Sequence, residues 1–416
     1  MSPTRFKPVL ALALAAVALL TACSRPESTA LRFSTWGSLD EIETLKPLLA
    51  EFERENPDVP VELVHIPDKY AHKVRLMAAS NQMPDVLFMD NLNLAGFAKR
   101  GVLRDLRPMI EADEAVSESD FYKPVLEAMS FKGTLYGIPR DLSNLVIFYN
   151  KDHFDQAKLP YPKAGWTYED MVAYGEKLTR PGERWGFGFQ PFPLFWMPFL
   201  WSDGVDLMDP AMTRSTLMAP ETLASLQRYA DLKLKYGIAP KEAEVGNARA
   251  SQLFAQGKVS MMVNGRWVVP GFRKKLDFGW DVAPFPKGKA GSVVDADASG
   301  WCIAKSSDKP EQAWRLIRFL SGKKAITAFT ESGLIVPSRP DVAESAAFFS
   351  GPPESSQVFL DVIADSRPTL APPSYNEIQY ELIDGLPPAW DGRADLEETL
   401  RPIADRIDAL LREDNR

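Results

Sequence analysis

The sequence has very little cysteine and histidine, the residues on which most zinc, disulfide and thiol sites depend. It contains only two cysteines and three histidines in 416 residues. No C-x-x-C pair is present, and the histidines lack the spacing of an H-E-x-x-H zinc motif. The G-x-S-x-G nucleophile elbow and the G-x-x-x-x-G-K phosphate loop are also absent. The sequence therefore predicts no metal site, no cofactor and no catalytic residue of these kinds.

Positive charge is in the minority. The chain has 48 Lys and Arg against 56 Asp and Glu, which gives a formal net charge of −8 at pH 7. No block of Lys or Arg reverses this balance, so the composition argues against broad nucleic-acid binding. Hydrophobic residues make up 45% of the chain. This content supports large cores, and the length predicts two domains rather than one.

Acidic residues are abundant, but their pattern marks no particular site. The run that begins at Asp295 and Asp297 is similar to the start of a calcium loop. Ser306, however, occupies the position of the bidentate glutamate, so no calcium site is expected. A glycosidase needs two carboxylates at a set separation, and nothing distinguishes one pair among 56 acidic residues.

An uncharged apolar run at residues 9–20 is the one feature that sets the N-terminus apart. Arg5 and Lys7 precede the run, and its length is typical of a signal peptide and too short to span a bilayer comfortably. The run ends in Leu20-Thr21-Ala22-Cys23, which resembles the lipobox of bacterial lipoproteins. An ordinary signal peptide followed by a chance cysteine is the alternative.

The lipobox resemblance implies a signal peptide at 1–22, acylation of Cys23 and a short tether at 23–30. Acyl chains contribute ~0.8 kcal/mol for each buried methylene, so several chains would hold the protein firmly. The expected location is the periplasm or the cell surface, with the protein anchored in the membrane. Lipidation of Cys23 would leave Cys302 without a disulfide partner, and the apolar flanks of Cys302 indicate a buried, unreactive thiol.

The first third of the mature chain alternates strands and helices. Strands are predicted at 31–36, 59–66 and 86–89, with a helix capped by Asp40 after the first and a helix at 68–80 after the second. This order predicts a parallel sheet covered by helices, with ligands outside the carboxyl ends of its strands. The side chains at those ends are Trp36, Ser38, Asp40, Asp90 and Asn91.

The middle of the chain has a different character. Helices are predicted at 166–178 and 220–236, on either side of an aromatic-rich segment at 185–201. Strands follow at 258–263 and 281–285, and the prolines of the second strand place it at an edge or an end. From Ser292 onward the earlier character returns, with a strand at 300–304.

The stretch 136–150 lies between these two regions. Gly137 and Pro139 predict a turn, and the apolar run 145–149 predicts a buried strand. Arg140 and Asp141 stand at the mouth of that strand. Charged loop residues are most often solvated, so composition alone favours a solvated loop tip over a site.

Tryptophan is unusually frequent, with ten residues in the chain. Trp36, Trp267 and Trp301 each follow or precede glycine and polar residues near predicted strand ends, although core packing is the ordinary role of any single tryptophan. Sugar rings stack on such side chains while their hydroxyls need Asp, Arg and Asn partners. A mixed aromatic and charged lining therefore suits a polyhydroxylated ligand.

Several segments, in this order, resemble the extracellular solute-binding proteins of bacterial ABC importers, the family that includes maltose-binding protein. The resemblance covers nearly all of the mature sequence. Each segment is modest alone, and their order and spacing carry the signal. The segments are 84–87, 136–139, 148–151, 257–267, 298–304 and 309–320.

The resemblance implies an α/β, periplasmic-binding-protein-like fold of type II, in which two α/β lobes enclose a ligand cleft and are joined by hinge crossovers. The first lobe would take 31–141 and 292–336, and the second 142–291 and 337–416. The expected function is capture of a sugar or oligosaccharide by closure of the cleft and its delivery to the permease subunits of an ABC importer. A monomer without cofactor, metal or nucleic acid is expected.

The family's ligand positions carry over to loops at both lobes. Residues 36–40 and 89–91 match sugar-contacting loops of the first lobe, and Trp267 matches a stacking aromatic. Met89 stands where maltose binders have tryptophan, which weakens the case for maltose. Trp196 aligns loosely, with core packing as an equal alternative. The predicted ligand-binding residues are Trp36, Ser38, Asp40, Asp90, Arg140, Trp196, Trp267, Ser299, Gly300, Trp301, Arg339 and Tyr375.

Two other functions stay open at this point. A phosphorylated polyol such as a glycerophosphodiester would use the forked donors of Arg140, Arg266, Arg339 and Arg367, although surface or interlobe ion pairs are the alternative role of these arginines. A surface glycosidase or polysaccharide lyase is the alternative of a different class. No nucleophile or base marks such an enzyme, so enzymatic activity is not expected.

Overall fold

The computed structural model describes residues 30–246 and 248–416. The predicted signal peptide at 1–22, the lipidation site Cys23 and all of the tether except Ala30 lie outside these residues. In the described ranges, none of the helices combines the length and the apolar character that a membrane span requires.

Strands form two main sheets. They are β1 (Leu31–Thr35), β2 (Val61–His65), β3 (Val86–Asp90), β4 (Ser130–Phe131), β5 (Thr134–Leu135), β6 (Gly137–Ser143), β7 (Leu145–Asn150), β8 (Trp185–Gly188), β9 (Val259–Gly265), β10 (Trp280–Ala283), β11 (Asp297–Ile303) and β12 (Val336–Pro337). The first sheet has the order β12-β6-β11-β3-β1-β2 and the second β10-β7-β9-β8, while β4 and β5 form a separate pair. The first lobe and the second lobe here mean the elements built on the first and the second sheet.

Helices pack on both sheets. They are α1 (Leu39–Glu55), α2 (Tyr70–Ala79), α3 (Asn91–Lys99), α4 (Arg107–Glu111), α5 (Lys123–Ala128), α6 (Lys151–Gln156), α7 (Tyr168–Leu178), α8 (Pro193–Asp203), α9 (Pro220–Leu234), α10 (Glu242–Val245), α11 (Ala250–Ala255), α12 (Val269–Lys275), α13 (Pro310–Ser321), α14 (Lys323–Glu331), α15 (Pro340–Ala343), α16 (Val358–Asp361), α17 (Tyr375–Gly385), α18 (Pro387–Trp390) and α19 (Leu396–Asp414). Short 3-10 helices lie at Glu118–Asp120, Arg266–Val268 and Val362–Asp365.

The first sheet has the predicted parallel core. β1 pairs in parallel with both β2 and β3, and β3 is buried from Val86 to Met89, as expected for a strand that helices cover on both faces. β11 arrives from later in the chain and pairs antiparallel with β3 and β6. The sheet is therefore mixed, and its centre comes from two distant parts of the sequence.

The start of α1 corrects one prediction. Asp40 was expected to cap this helix, but Ser38 is the cap: its Oγ accepts from Glu41 N at 3.3 Å, and Glu41 Oε2 accepts from Ser38 N at 2.5 Å. Two side chains three residues apart thus satisfy each other's backbone donors, which is the capping-box arrangement. Asp40 instead lies within the first turn.

The stretch 136–150 forms two strands rather than a turn and one strand. β6 runs through Gly137 and Pro139, and Asn144 alone links it to β7 in the other sheet. The turn prediction was wrong, because both Gly137 and Pro139 lie within the extended strand β6. On one side β6 pairs with β11, and on the other the short β12 reaches only Asp141 and Leu142. Pro139 thus lies beyond the end of β12, where Ser338 Oγ donates to its carbonyl at 3.0 Å.

Two hydrophobic clusters form the core. One lies between the first sheet and the helices α1, α13 and α14, and includes Phe33, Phe88 and Trp301. The other contains residues of both sheets, among them Met89 and Phe148. This second cluster joins the lobes into one packed body. β10 lies at an edge of its sheet, as its prolines predicted.

Candidate functional site

One edge of the first sheet collects polar side chains from separate strands. Ser299, near the start of β11, lies between Asp90 at the end of β3 and Asp141 near the end of β6. Trp36 directly follows β1, the strand beside β3. Because parallel strands end at the same edge, residues far apart in sequence become neighbours there. The structure thus brings the predicted residues Trp36, Asp90 and Ser299 into one row.

The Trp36 ring packs against two other aromatic rings, those of Phe88 and Tyr70. Its ring centroid lies 4.4 Å from that of Phe88 and 5.0 Å from that of Tyr70, the latter edge-on. The indole is partly exposed, whereas Phe88 is buried. Such packing fixes a flat apolar surface beside the polar row.

Asp90 is the carboxyl group at the centre of this row. Its Oδ1 accepts from the backbone N–H and the side-chain amide of Asn93, each at 2.9 Å, and so caps α3. Burial, with smaller contributions from the carboxylates of Asp297 and Asp141, raises the pKa of Asp90 to about 6. Above that pH the group is an ionised acceptor suited to hydroxyl or amine donors.

A β-bulge shapes the next part of the edge. The pairing of β11 with β6 shifts between Ser299 and Gly300, so that Arg140 has no opposite residue. A Cβ at Gly300 would collide with the backbone oxygen of Ile138, so only glycine allows this close approach. Gly300 was predicted as a site residue, and its role in the structure is to let the two strands meet.

Asp141 holds the bulged strand in place. Its Oδ1 accepts from Ser299 N at 3.1 Å, and its Oδ2 accepts from Arg140 Nε at 2.7 Å. The guanidinium carbon of Arg140 lies 4.2 Å from the ring centroid of Phe88. Arg140 is therefore not a solvated loop tip, because an ion pair and an aromatic face both fix it.

Glu41 is a residue of this edge that the sequence prediction missed. Burial raises its pKa, although the Ser38 N–H and the charge of Arg140 act in the opposite direction. Its carboxylate also packs against Gly37, where a Cβ would lie 3.0 Å from Oε2. The spacing of Ser38 and Glu41, a capping-box pattern, is the signal that could have identified it.

Trp267 is a residue of the second lobe that also packs against the core of the first. It follows β9, whose last residue, Gly265, pairs with Leu145 at the beginning of β7. A Cβ at Gly265 would overlap the Trp267 ring, so glycine is required for the ring to lie flat on the strand end. The partly buried Trp267 packs against both hydrophobic clusters. It therefore lies at the junction of the two lobes.

Asp297 ties this edge to the C-terminal part of the chain. Its Oδ1 accepts from Asn91 Nδ2 and from Thr369 N, both at 3.0 Å, and its Oδ2 accepts from the Thr369 hydroxyl at 2.7 Å. Asn91 in turn accepts from Ala298 N at 3.0 Å. The sequence had given no role to Asp297 or Thr369, because their pairing joins distant segments.

Two predicted tryptophans lie elsewhere. Trp196 is 0% and Trp301 is 1% exposed. The indole of Trp196 donates to Pro191 O at 3.0 Å, and Trp301 packs between Phe88 and Phe329. The structure thus places both rings in the cores and not beside Trp36 and Asp90.

Three more predicted residues have protein partners. Tyr375 is 2% exposed, and its hydroxyl lies 3.6 Å from Met197 Sδ. Arg339 is buried and pairs with Asp120 at 3.3 Å and Asp341 at 3.2 Å. Asp40 pairs with Lys275 of α12 at 2.6 Å. Ser38 is exposed at the start of α1.

The remaining arginines considered for anion binding also contact protein groups, although two nitrogens of Arg266, Nε and Nη1, have no hydrogen-bond partner. Arg367 pairs with Asp206 at 2.8 Å. Arg266 is 2% exposed, donates to Phe348 O at 2.7 Å and stacks on the Phe348 ring at 4.0 Å. Within residues 30–246 and 248–416, no group of three or more His, Cys, Asp or Glu could hold a metal ion.

Comparison with known families decides the identity. Residues 48–353 match the family described as bacterial extracellular solute-binding protein. The match covers well over half of the chain. The chain belongs to this bacterial extracellular solute-binding protein family. The family resemblance predicted from the sequence is thereby confirmed, and the name of the family indicates a protein that works in the periplasm or outside the cell.

Relatives of this solute-binding protein cover it almost completely. The galactooligosaccharide-binding protein of Bacillus subtilis is 24% identical over 414 residues, or 94% of each chain. An ABC substrate-binding protein from Listeria monocytogenes, solved in complex with cycloalternan, has a TM-score of 0.87 at 24% identity and covers 92% of this chain and 99% of its own. A Mycobacterium tuberculosis protein, solved in complex with glycerophosphocholine, has a TM-score of 0.79 at 20% identity and covers 94% and 100%. These likenesses confirm the type II, two-lobed α/β fold.

Proposed function

We propose that this protein captures a sugar or oligosaccharide in the cleft between its lobes and delivers it to the permease subunits of an ABC importer. The observation that supports this most directly is the pairing of a polar row with two partly exposed indoles. Trp36 and Trp267 are partly exposed indoles of different lobes, and Asp90 and Ser299 offer hydrogen-bonding groups at the strand ends beside Trp36. Sugar rings require both kinds of contact.

The proposed contacts are the predicted residues that lie at this edge or at the lobe junction. They are Trp36, Ser38, Asp90, Arg140, Trp267, Ser299 and Gly300. The lobe bounds at 31–141 with 292–336 and 142–291 with 337–416 remain part of the proposal. Ligand contacts from both lobes favour the closed state through their differential affinity, and the closed state is the form that the permease would recognise.

A phosphorylated polyol is the competing ligand class. Arg140, Arg339 and Arg367 each pair with a carboxylate, and Arg266 lies buried under Phe348. The edge itself carries Asp90 and Glu41, which repel a phosphate. These charges favour a neutral sugar over an anion.

The lipid anchor is a separate proposal. The lipobox at residues 20–23 supports acylation of Cys23 and attachment of the protein to the membrane through its tether. Expression with labelled fatty acid should give a labelled protein in the membrane fraction. Cys23→Ser should remove both the label and the membrane attachment, and a label that persists in this variant would contradict the assignment.

A thermal-shift screen followed by calorimetry tests the ligand class. The screen compares neutral di- and oligosaccharides with glycerol phosphates and a glycerophosphodiester; ligand at 100 times its dissociation constant adds ~2.7 kcal/mol of stability. Stabilisation by sugars alone is expected. Stabilisation by the phosphate compounds alone would contradict the proposal, and cleavage products in a sugar incubation would indicate an enzyme.

Trp267→Ala tests the stacking role with the best sugar from that screen. Loss of the aromatic face should weaken binding at least tenfold, ~1.4 kcal/mol, without unfolding the protein. Trp185→Ala is the matched control, because Trp185 is also partly exposed. It starts β8 and pairs with Val259, the first residue of β9, so it lies at the other end of the sheet from Gly265. Wild-type affinity in the Trp267 variant would remove the stacking role.

A further inference from the structure

Asp295 is a buried carboxyl group that the candidate binding site does not use. It lies on the segment that leaves the second sheet after Ala283 and enters the first sheet at Asp297. The residue is 0% exposed, and neither carboxyl oxygen has a hydrogen-bond partner. Transfer of an ionised carboxylate into such surroundings is strongly unfavourable, so the neutral acid is the form that fits.

Asp295 lies where the links between the two sheets meet. Backbone bonds join its segment to the C-terminal connector: Ala296 N donates to Arg367 O at 2.8 Å, and Arg367 N donates to Val294 O at 3.0 Å. The β6–β7 link lies close by, since Leu145 N–H is near the carboxyl. Asn144 of that link is 1% exposed and also has an unpartnered side-chain oxygen.

The charges around Asp295 do not favour its ionisation. Burial raises its pKa well above the usual range, and the nearby Asp297 raises it further. The backbone N–H groups of Asp295 and Leu145 act against this shift, but neither makes a hydrogen bond of ordinary geometry with the carboxyl. Arg367, on the paired segment, directs its guanidinium to Asp206. Asp297 is therefore the charged side chain that affects the pKa of Asp295, and it raises it.

We propose that Asp295 is a pH-sensitive element of the links between the lobes. As a neutral acid it permits the packed arrangement of these links, and its ionisation favours arrangements in which the links separate and water reaches the carboxyl. A conformer that binds a proton more tightly gains population as pH falls. The population of the compact arrangement is thus highest at low pH and decreases as pH rises. This behaviour needs no ligand, so it stands apart from the proposed sugar binding.

Asp295→Asn, a neutral isostere, is the first test. A group with a raised folded-state pKa contributes stability at low pH that is lost as pH rises towards that pKa. Urea titrations give the unfolding equilibrium constant of the wild type and of Asp295→Asn at each pH. The ratio of the wild-type constant to the variant constant should therefore increase at least tenfold between pH 5 and 8.5. Asp295→Val keeps a similar shape without polar atoms and should give the same result. Asp365→Asn, at an exposed carboxyl, should leave the wild-type curve unchanged.

A distance measurement tests the conformational part. Asp68 and Arg249 are exposed side chains of different lobes whose charged atoms lie 3.6 Å apart. Spin labels on cysteines at these positions, in the full chain with Cys23→Ser, report the separation; Cys302 is buried and does not compete. The mean distance should increase from pH 5 to 8.5 when Asp295 is present and stay constant when the Asp295→Asn substitution is added. Equal pH curves with and without the carboxyl, or lower stability of both Asp295 variants at every pH, would overturn the proposal.

Discussion

His153 is a buried imidazole whose protonation should control acid stability. Its Nδ1 lies 3.0 Å from Ser260 Oγ, and burial, together with the charge of Arg184, lowers its pKa to about 4. The unfolded chain binds this proton near pH 6.5, so between these values the unfolded state holds more protons and is favoured as pH falls. We expect the free energy of unfolding to drop by up to about 3 kcal/mol from pH 6.5 to 4.

His153→Asn should flatten this part of the stability curve, because the amide can keep the bond to Ser260 without titrating. Urea unfolding at pH 7, 6 and 5 measures the effect. His72→Asn, at an exposed histidine, is the control and should follow the wild type. A variant at position 153 that keeps the full wild-type pH slope would show that other groups cause it.

Residue-level prediction failed where burial depends on distant helices. Trp36 and Trp301 both have glycine neighbours near strand ends, which indicated exposure for both. Trp301, however, lies on the face of β11 that the cluster with Leu316 and Phe329 covers. Neighbouring residues in sequence do not reveal which face of a strand a later helix will cover.

Elements were easier to predict than their pairing. The apolar run at 145–149 and the helix predicted at 166–178 correspond to β7 and α7. The pairing of β6 with β11 could not be inferred from local residues, and it made a strand of the predicted turn at Gly137 and Pro139. Hydrophobic periodicity identifies a strand, but only tertiary packing chooses its partners.

The bulge at Arg140 should be the most sensitive element of the candidate site. Gly300→Ala places a methyl group against the Ile138 carbonyl, so the strands must separate. We expect the free energy of unfolding to fall by about 1–3 kcal/mol. Sugar affinity should fall as well, since Ser299 and Asp141 lose their register. Urea unfolding and calorimetry measure the two effects.

Gly322→Ala is the matched control for this substitution. Gly322 lies between α13 and α14 with φ −67°, and its nearest non-neighbouring atoms would be 3.3 Å from a Cβ. An alanine there should lower stability by at most about 1 kcal/mol, because Gly322 is the N-cap of α14 and alanine caps less well than glycine. If Gly300→Ala were equally harmless, the strands at the bulge would have to be more adaptable than their contacts indicate.

At the scale of the whole molecule, the order of the family segments was enough to predict a two-lobed α/β fold. The contacts between the lobes were not predictable, because they join α1 to α12, and these two helices lie far apart in the sequence. Lys275 pairs with Asp40 at 2.6 Å, and Lys274 pairs with Glu43 at 2.8 Å. These ion pairs bridge the lobes close in sequence to Ser38 and Trp36.

Exposed ion pairs contribute little each, and salt screens them. The double variant Lys274→Ala with Lys275→Ala should therefore favour the open state modestly and weaken sugar binding by less than about tenfold in low salt. Calorimetry in about 0.5 M NaCl should remove most of this difference, because screening weakens the wild-type pairs as well. Lys323→Ala with Lys324→Ala is the matched control: these consecutive lysines pair with Asp341 and Glu51 and do not bridge to α12. An affinity loss that persists in high salt would show that the lysines act through packing rather than charge.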